Sequence, residues 1–345
     1  MIGRNNLSSI QVGYRRRQYR WRIVTLCLGV LTLALCISIL IMGNSIYPIP
    51  VMIKVLMGEQ IQGASFAIRT LRLPRMLSGL FAGIAFGMAG STFQTMLRNP
   101  LASPDIIGVT SGSSVGAMVC ILLLKMSGAV ASIVAAISGL FFAFLIYMLS
   151  KIGKFSGGKL ILIGIGIQAM LNAVISFLLL KAPQHDIPAA YRWLSGSLNG
   201  VQMTNIPKLF FALIFFGLII ILLGRHLRIL ELGEQSATTL GIRTDLVRLL
   251  LVSSSVVLIA CATAVTGPIS FVAFLAGPIA SKLAGTGAPN EFPAGFIGAI
   301  LVLAADLIGQ FAFNTRFPVG VITGILGSPY LIVLLIRMNR TGGAA

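Results

Sequence analysis

Acidic residues are scarce in this 345-residue chain: Asp and Glu together number 8, against 26 Lys and Arg. Histidine and tryptophan each occur twice, cysteine four times. So few carboxylates and imidazoles leave no buried acid–base pair for enzymatic proton transfer. The histidines, His185 and His226, fall in separate loops, which argues against a metal site built on them. Cys27, Cys36, Cys120 and Cys261 all lie inside apolar runs without a Cys-x-x-Cys spacing, so they read as small packing residues. Also missing is the apolar–polar alternation over about ten positions that a membrane β-barrel requires. What fills the chain instead is apolar sequence: 57% hydrophobic, 10% charged, mean hydropathy +0.97. No soluble domain has that composition. Uncharged runs recur, each long enough to cross a hydrocarbon core of about 30 Å. The chain therefore reads as an all-α polytopic membrane protein lodged in a lipid bilayer.

The net charge of +18 would suggest nucleic acid in a soluble protein. Here the basic residues gather at the ends of apolar runs, which is a topology signal and excludes a nucleic-acid partner. A basic segment, 1–22, carries Arg15, Arg16, Arg17, Arg20 and Arg22 ahead of the first run. That run is too long for a signal-peptide core and ends in no cleavage site, so it is expected to remain as the first helix. Ten transmembrane helices are expected, at about 23–46, 77–97, 106–124, 129–149, 160–181, 204–224, 247–266, 269–283, 295–313 and 318–336. They form one membrane domain over 23–340, with both termini in the cytoplasm.

The second and third helices each carry glycines at four-residue spacing: Gly79, Gly83 and Gly87, then Gly108, Gly112 and Gly116. A four-residue step drifts by only about 40° around a helix, so each set keeps to one face and lets another helix approach backbone to backbone. Gln94, Asn99 and Pro100 mark the polar end of the second helix and its turn, expected with the glycines to shape helix packing or a path. Arg69, Arg72 and Arg75 precede the second helix on the side that the helix count makes external, against the positive-inside rule. They could hold an acidic partner, or anchor the helix end by snorkelling. The eighth run is short and interrupted by Gly277-Pro278, which a membrane tolerates only where protein or a cavity satisfies the backbone. Asp306, inside the ninth helix, is expected to face the interior, as a structural ion pair or as part of a transport path.

Residues 225–246 form the longest polar stretch after the N-terminus, on the cytoplasmic side by count and charge. Within it 231–240 is expected to be a short helix capped by Gly241, with Ala237 and Gly241 leaving small surfaces for a docking partner. One further pattern is a false signal. Gly153 to Lys159 spells G-x-x-x-x-G-K, but Leu160 replaces the hydroxyl residue that would bind Mg²⁺, and no strand precedes it.

Four motifs together resemble the FecCD-type permeases, the membrane subunits of ATP-binding-cassette importers for iron–siderophore complexes, haem and vitamin B12. They are Arg72-Leu73-Pro74-Arg75 with Arg98-Asn99-Pro100-Leu101-Ala102; Leu232-Gly233-Glu234 through Ala237 to Leu240-Gly241; Gly267-Pro268-Ile269-Ser270-Phe271-Val272-Ala273; and Phe317-Pro318-Val319-Gly320-Val321 with Gly327-Ser328-Pro329-Tyr330. They run in family order across nearly the whole chain. The resemblance implies a ten-helix permease fold in the bacterial cytoplasmic membrane, paired with a second permease subunit, identical or homologous. It implies two ATPase subunits that use the ATP, no cofactor or metal in the permease, and an extracytoplasmic siderophore-binding protein. It further implies that Leu232, Gly233, Glu234, Ala237, Leu240 and Gly241 couple to the ATPase, and that Arg72 and Arg75 meet the binding protein. Gln310 stands where some relatives carry another arginine; Arg316, shortly after it, joins the docking set. The cargo implied is a ferric siderophore, with haem or vitamin B12 as the alternative. A proton- or ion-coupled transporter is the rival outside the family; it needs several intramembrane carboxylates, and Asp306 alone falls inside a predicted run.

Overall fold

In hydrocarbon a chain must satisfy its own backbone, and a single apolar run can do so only as a helix. The computed structural model describes residues 3–126, 128–151, 157–285 and 288–342, and they form helices and turns without a strand. In chain order the helices are α1 (Gly3–Ile41), α2 (Ile49–Met57), α3 (Leu73–Leu97), α4 (Val109–Met118), α5 (Ala129–Ser150), α6 (Gly157–Lys181), α7 (Ile187–Leu194), α8 (Ile206–Glu231), α9 (Glu234–Thr239), α10 (Thr244–Thr266), α11 (Val272–Ala284), α12 (Glu291–Phe311) and α13 (Val319–Gly342). Eight helical stretches are long and apolar enough to span a membrane, and two shorter apolar helices, Val109–Leu123 and Val272–Ala284, accompany them. The ten expected spans are thus present as apolar helices, eight of them at full crossing length.

Several boundaries differ from the sequence expectation, each for a local reason. The basic segment 1–22 is helical from Gly3 and continuous with the first span, since no proline separates them. The stretch 47–75 holds α2, whose Pro48 and Pro50 occupy the N-terminal turn, where a missing N–H costs little. It also holds a wide π-turn, Phe66–Arg72, that feeds into α3. Pro74 cannot donate one turn back, and the widened winding accommodates that gap. Gly108 is not part of a helical glycine face: it adopts φ 69° at the start of α4, after a 3₁₀ turn over Pro104–Ile107. The polar residues 225–231 belong to α8, not to a loop. Gly153 and Lys154 of the G-x-x-x-x-G-K pattern lie outside the described residues.

The expected break in the eighth run is absent, because α11 passes through Pro278 unbroken. Proline removes the donor for the carbonyl four residues back, that of Phe274. Gln94, on α3, donates its Nε2 to that oxygen at 2.8 Å. Gly277 gives the amide room, since a Cβ there would strike Gln94 Oε1.

At the centre, α3 packs against α8, α10, α11 and α12. The first glycine set lies against α12. A Cβ on Gly83 would come within 2.5 Å of Ala299 Cα, and one on Gly87 would strike the Ala294 carbonyl. On Gly79 it would meet Leu198 and Leu303 side chains at 2.8 and 2.9 Å. Gly90, three residues past the expected set, abuts the Ala273 carbonyl of α11. In the second set, Gly112 and Gly116 face α5 at Ser138, whose Oγ donates to the Gly112 carbonyl at 2.7 Å.

Candidate functional site at the two ends of the bundle

One end of the bundle, the mouth end, is where α1 finishes and α3 begins. Here a cavity of about 560 Å³ is lined by Arg69, Arg72, Arg75, Arg316, Gln202 and Gln310 among others. Its four arginines do different work. Arg72 is spent inside the chain: it donates to the carbonyls of Leu40 at 2.9 Å, Ile41 at 2.8 Å and Ser45 at 2.6 Å, closing the C-terminus of α1. Its guanidinium also lies 5.0 Å from the centre of the Tyr47 ring. Arg75 forms a two-pronged pair with Asp306 on α12, with contacts of 2.8 to 3.1 Å. Gln310, one turn along α12, donates to the same carboxylate at 2.8 Å. Asp306 is 1% exposed and held in this ion pair. Arg316 is exposed and donates to the neutral Asn44 side chain at 2.7 Å. Arg69 is exposed and has neither an ion pair nor a hydrogen-bond partner among the described residues.

The three carboxylates at this end are all neutralised: Glu59 by Lys54 at 3.7 Å, Asp306 by Arg75, Asp186 by Lys125. The hydrogen bond from Lys125 holds the Asp186 carboxyl below its usual range. Arg69, Lys181, Arg192 and Lys208 remain exposed and unpaired among the described residues, so the mouth surface is net positive.

Beside the cavity the third and fourth motifs meet. Gly267 and Gly320 pack onto the turn after α7: Ser197 N–H donates to the Thr266 carbonyl at 2.7 Å, and Gly320 N–H to the Gly196 carbonyl at 3.1 Å. Gly196 and Gly267 hold φ of 66° and 71°, a region closed to most side chains. A Cβ on Gly196 would strike the Pro268 carbonyl. Sequence reading singled out the first two glycines but not Gly196; the only available signal was its place after a short amphipathic helix.

The opposite end carries α9. Gly233 enters it with φ 122° and Gly241 leaves it with φ 80°. Ala237 is fully buried, facing the bundle. That corrects the expectation that Ala237 offers a docking surface: its methyl seats α9 on the protein's own core. Leu232 and Leu240, by contrast, are 68% and 63% exposed. Glu234 is tied back to Arg248 of α10 at 3.6 Å. Arg98, in the turn after α3, donates to the Leu230 carbonyl at 2.6 Å and closes the end of α8 just before α9. Asn99 Oδ1 accepts from Leu101 N–H at 2.9 Å, and Gln94 adds a bond to the Pro100 carbonyl at 3.0 Å. Gln94, Asn99, Pro100 and Gly277 border a second cavity, of about 400 Å³. The glycine sets line packing faces, not this cavity.

A second buried carboxylate escaped sequence reading because α12 begins earlier than expected. Glu291 is 1% exposed, and neither of its oxygens has a hydrogen-bond partner among the described residues. It heads α12, where the helix dipole favours negative charge. No cluster of three or more His, Cys, Asp or Glu residues suited to a metal ion occurs among the described residues.

Residues 30–337 of this chain match the model of the FecCD transport family. The chain belongs to that family. Among curated FecCD relatives, the ferric enterobactin transport system permease protein FepG of Escherichia coli (strain K12) is 39% identical over 83% of this chain and 87% of its own length. The achromobactin transport system permease protein CbrC of Dickeya dadantii (strain 3937) is 33% identical over 90% of each. A solved structure described as an inward-facing conformation of a metal-chelate type ABC transporter superposes with TM-score 0.80 at 25% identity, over 92% of this chain and 99% of that one. As a FecCD protein with eight spanning helices, the chain is a multi-pass membrane protein.

Proposed function

We propose that this chain is the membrane subunit of an ATP-binding-cassette importer that moves ferric siderophore complexes across the bacterial cytoplasmic membrane. The observation that carries this reading is α9, a six-residue helix beyond the spans, seated by the buried Ala237 and flanked by the exposed Leu232 and Leu240. Exposed leucines on a fixed base outside the hydrocarbon suit a partner groove. The partner is a separate ATPase pair that binds and hydrolyses the ATP; the permease contributes no nucleotide site and takes no cofactor. Both termini and α9 face the cytoplasm, where the basic residues Arg98, Arg225, Arg228, Arg243 and Arg248 also gather.

The positive mouth then faces outward and receives an acidic binding protein. Since Arg72 and Arg75 are engaged internally, Arg69 and Arg316 present the free docking charge, and the first two act by holding the rim in shape. A second permease subunit completes the pathway. The cargo follows from relatives whose names specify ferric enterobactin and achromobactin.

The test is uptake of radioactive iron as ferric siderophore into vesicles containing the permease, its ATPase and its binding protein. Uptake requires all three and ATP. Transport driven by a pH gradient alone would overturn the proposal. A cobalamin import permease of Halobacterium salinarum is 31% identical over 79% of this chain, so cobalamin and haem belong in the same assay; preference for either would reassign the cargo.

A further inference from the structure

α1 is longer than one membrane crossing, and its excess is basic. Counting back about 20 residues from Ile41, the length that spans the hydrocarbon, reaches Arg22. Trp21 and Tyr19 then stand at the level where aromatic side chains favour the interface. Arg15, Arg16 and Arg17 lie about 8–10 Å further out along the axis, at headgroup depth and about one Debye length from the hydrocarbon edge. The helix is fixed at this height. Arg20 donates to the carbonyls of Leu283 at 2.9 Å and Lys282 at 3.0 Å, and Trp21 Nε1 to the Pro289 carbonyl at 2.9 Å. These bonds turn Arg20 and Trp21 toward α11 and α12.

Arg15 and Arg22 project from the far side of the helix, whereas Arg16 and Arg17 sit one turn from Arg20 on its own side. Arg15, Arg16, Arg17 and Arg22 are exposed, and none has an ion pair or hydrogen bond to the described residues. Arg15, Tyr19, Arg22 and Leu26 recur at helical spacing on one outward face, with Tyr19 68% and Leu26 69% exposed. On the side shared with Arg20 runs a groove of about 610 Å³, bounded by Arg16, Arg17, Tyr19 and Arg20 toward the chain start and by Ile23 and Val24 toward the membrane. Gly13, with nothing within 4 Å of where its Cβ would be, leaves the outer end open. Cations at headgroup depth and apolar side chains one turn deeper match the two halves of a phospholipid.

We infer that this stretch of α1 is a binding site for an anionic phospholipid. The guanidinium groups of Arg16 and Arg17, which border the groove, take the headgroup phosphate; Arg15 and Arg22 add positive charge around the same end of the helix, and Ile23 and Val24 take the start of an acyl chain. The site stands whether or not the cargo assignment above holds.

The chain has two tryptophans, Trp21 beside this site and Trp193 on α7 at the mouth end, so Trp193→Phe leaves a single reporter. The full-length variant is reconstituted in phosphatidylcholine vesicles holding equal fractions of brominated phosphatidylglycerol or brominated phosphatidylcholine. Brominated phosphatidylglycerol should quench Trp21 as though its local concentration were about tenfold above its bulk fraction. Changing Arg15, Arg16, Arg17 and Arg22 to Gln should abolish that excess while leaving quenching by brominated phosphatidylcholine unchanged, which also reports correct insertion. Equal quenching by the two lipids, or an excess that survives in the quadruple variant, overturns the inference. So does a quadruple variant that changes no lipid preference but loses co-purifying ATPase subunits, for the patch would then fit an acidic protein surface.

Discussion

α3 and α6 are both 25 residues long, and both carry glycine among apolar residues, yet one is core and the other is coat. In an 18-residue apolar segment of α3 and its lead-in turn, 78% is buried within the subunit, against 22% in the corresponding segment of α6. The more buried stretch is the less apolar of the two. Hydropathy thus marks where the membrane is, because lipid rewards apolar surface as fully as a protein interior does. What marks the interior is small residues facing small residues: Gly83 and Gly87 of α3 meet Ala294, Gly298 and Ala299 of α12, whereas Gly166 of α6 meets nothing within 4 Å.

The comparison can be broken by adding bulk to each helix. Gly83→Leu, forced against the Ala299 backbone, should cost about 3 kcal/mol or more, seen as loss of folded protein on detergent chromatography and of uptake. Gly166→Leu should leave both unchanged. A stable Gly83→Leu protein would mean that α3 and α12 are not in close backbone contact. Of similar size is the ion pair that fastens the same two helices at the mouth. Arg75→Ala leaves Asp306 buried without its cation, and should destabilise by about 3–5 kcal/mol in thermal unfolding. Pairing Arg75→Met with Asp306→Leu should restore most of that loss; no recovery would argue that Arg75 acts through an external partner.

A third comparison sits between α3 and α11. Gln94→Leu strands the Phe274 carbonyl, at a cost of about 1–3 kcal/mol. Adding Pro278→Ala gives α11 back its own donor, so the double variant should melt above Gln94→Leu alone. The smallest effect is expected at Arg72. Lysine cannot reach three carbonyls as a guanidinium does, so Arg72→Lys should lower stability by about 1 kcal/mol, while Arg69→Glu should leave melting unchanged and weaken stimulation of ATP hydrolysis by the binding protein.

Much of this was legible in the chain itself. Apolar run length gave the helix order, and the four-residue glycine step gave the α3 and α4 packing faces, since both follow from local periodicity. Gly108 was misread because spacing alone cannot distinguish a helical glycine from the left-handed one that starts a helix. The partner face on α12 went unread, as Gly295, Gly298 and Ala299 acquire meaning only opposite Gly83 and Gly87. Pairings such as Arg75 with Asp306, or Gln94 with the carbonyl freed by Pro278, join residues far apart in the chain, and no local pattern announces them. At α9 the sequence located the segment but not its orientation; burial of Ala237 decides which side faces out.

The glycine junction of Gly196, Gly267 and Gly320 has a consequence for how such a mouth could diversify. Main chain touches main chain there, so its dimensions are set by peptide groups that no mutation can trim or enlarge. Variation is left to what hangs from the junction, such as Asn199, Gln202 and Arg192, all of which line a neighbouring cavity of about 260 Å³. A frame of invariant shape with an adjustable fringe lets one opening be retuned for new partners without being rebuilt.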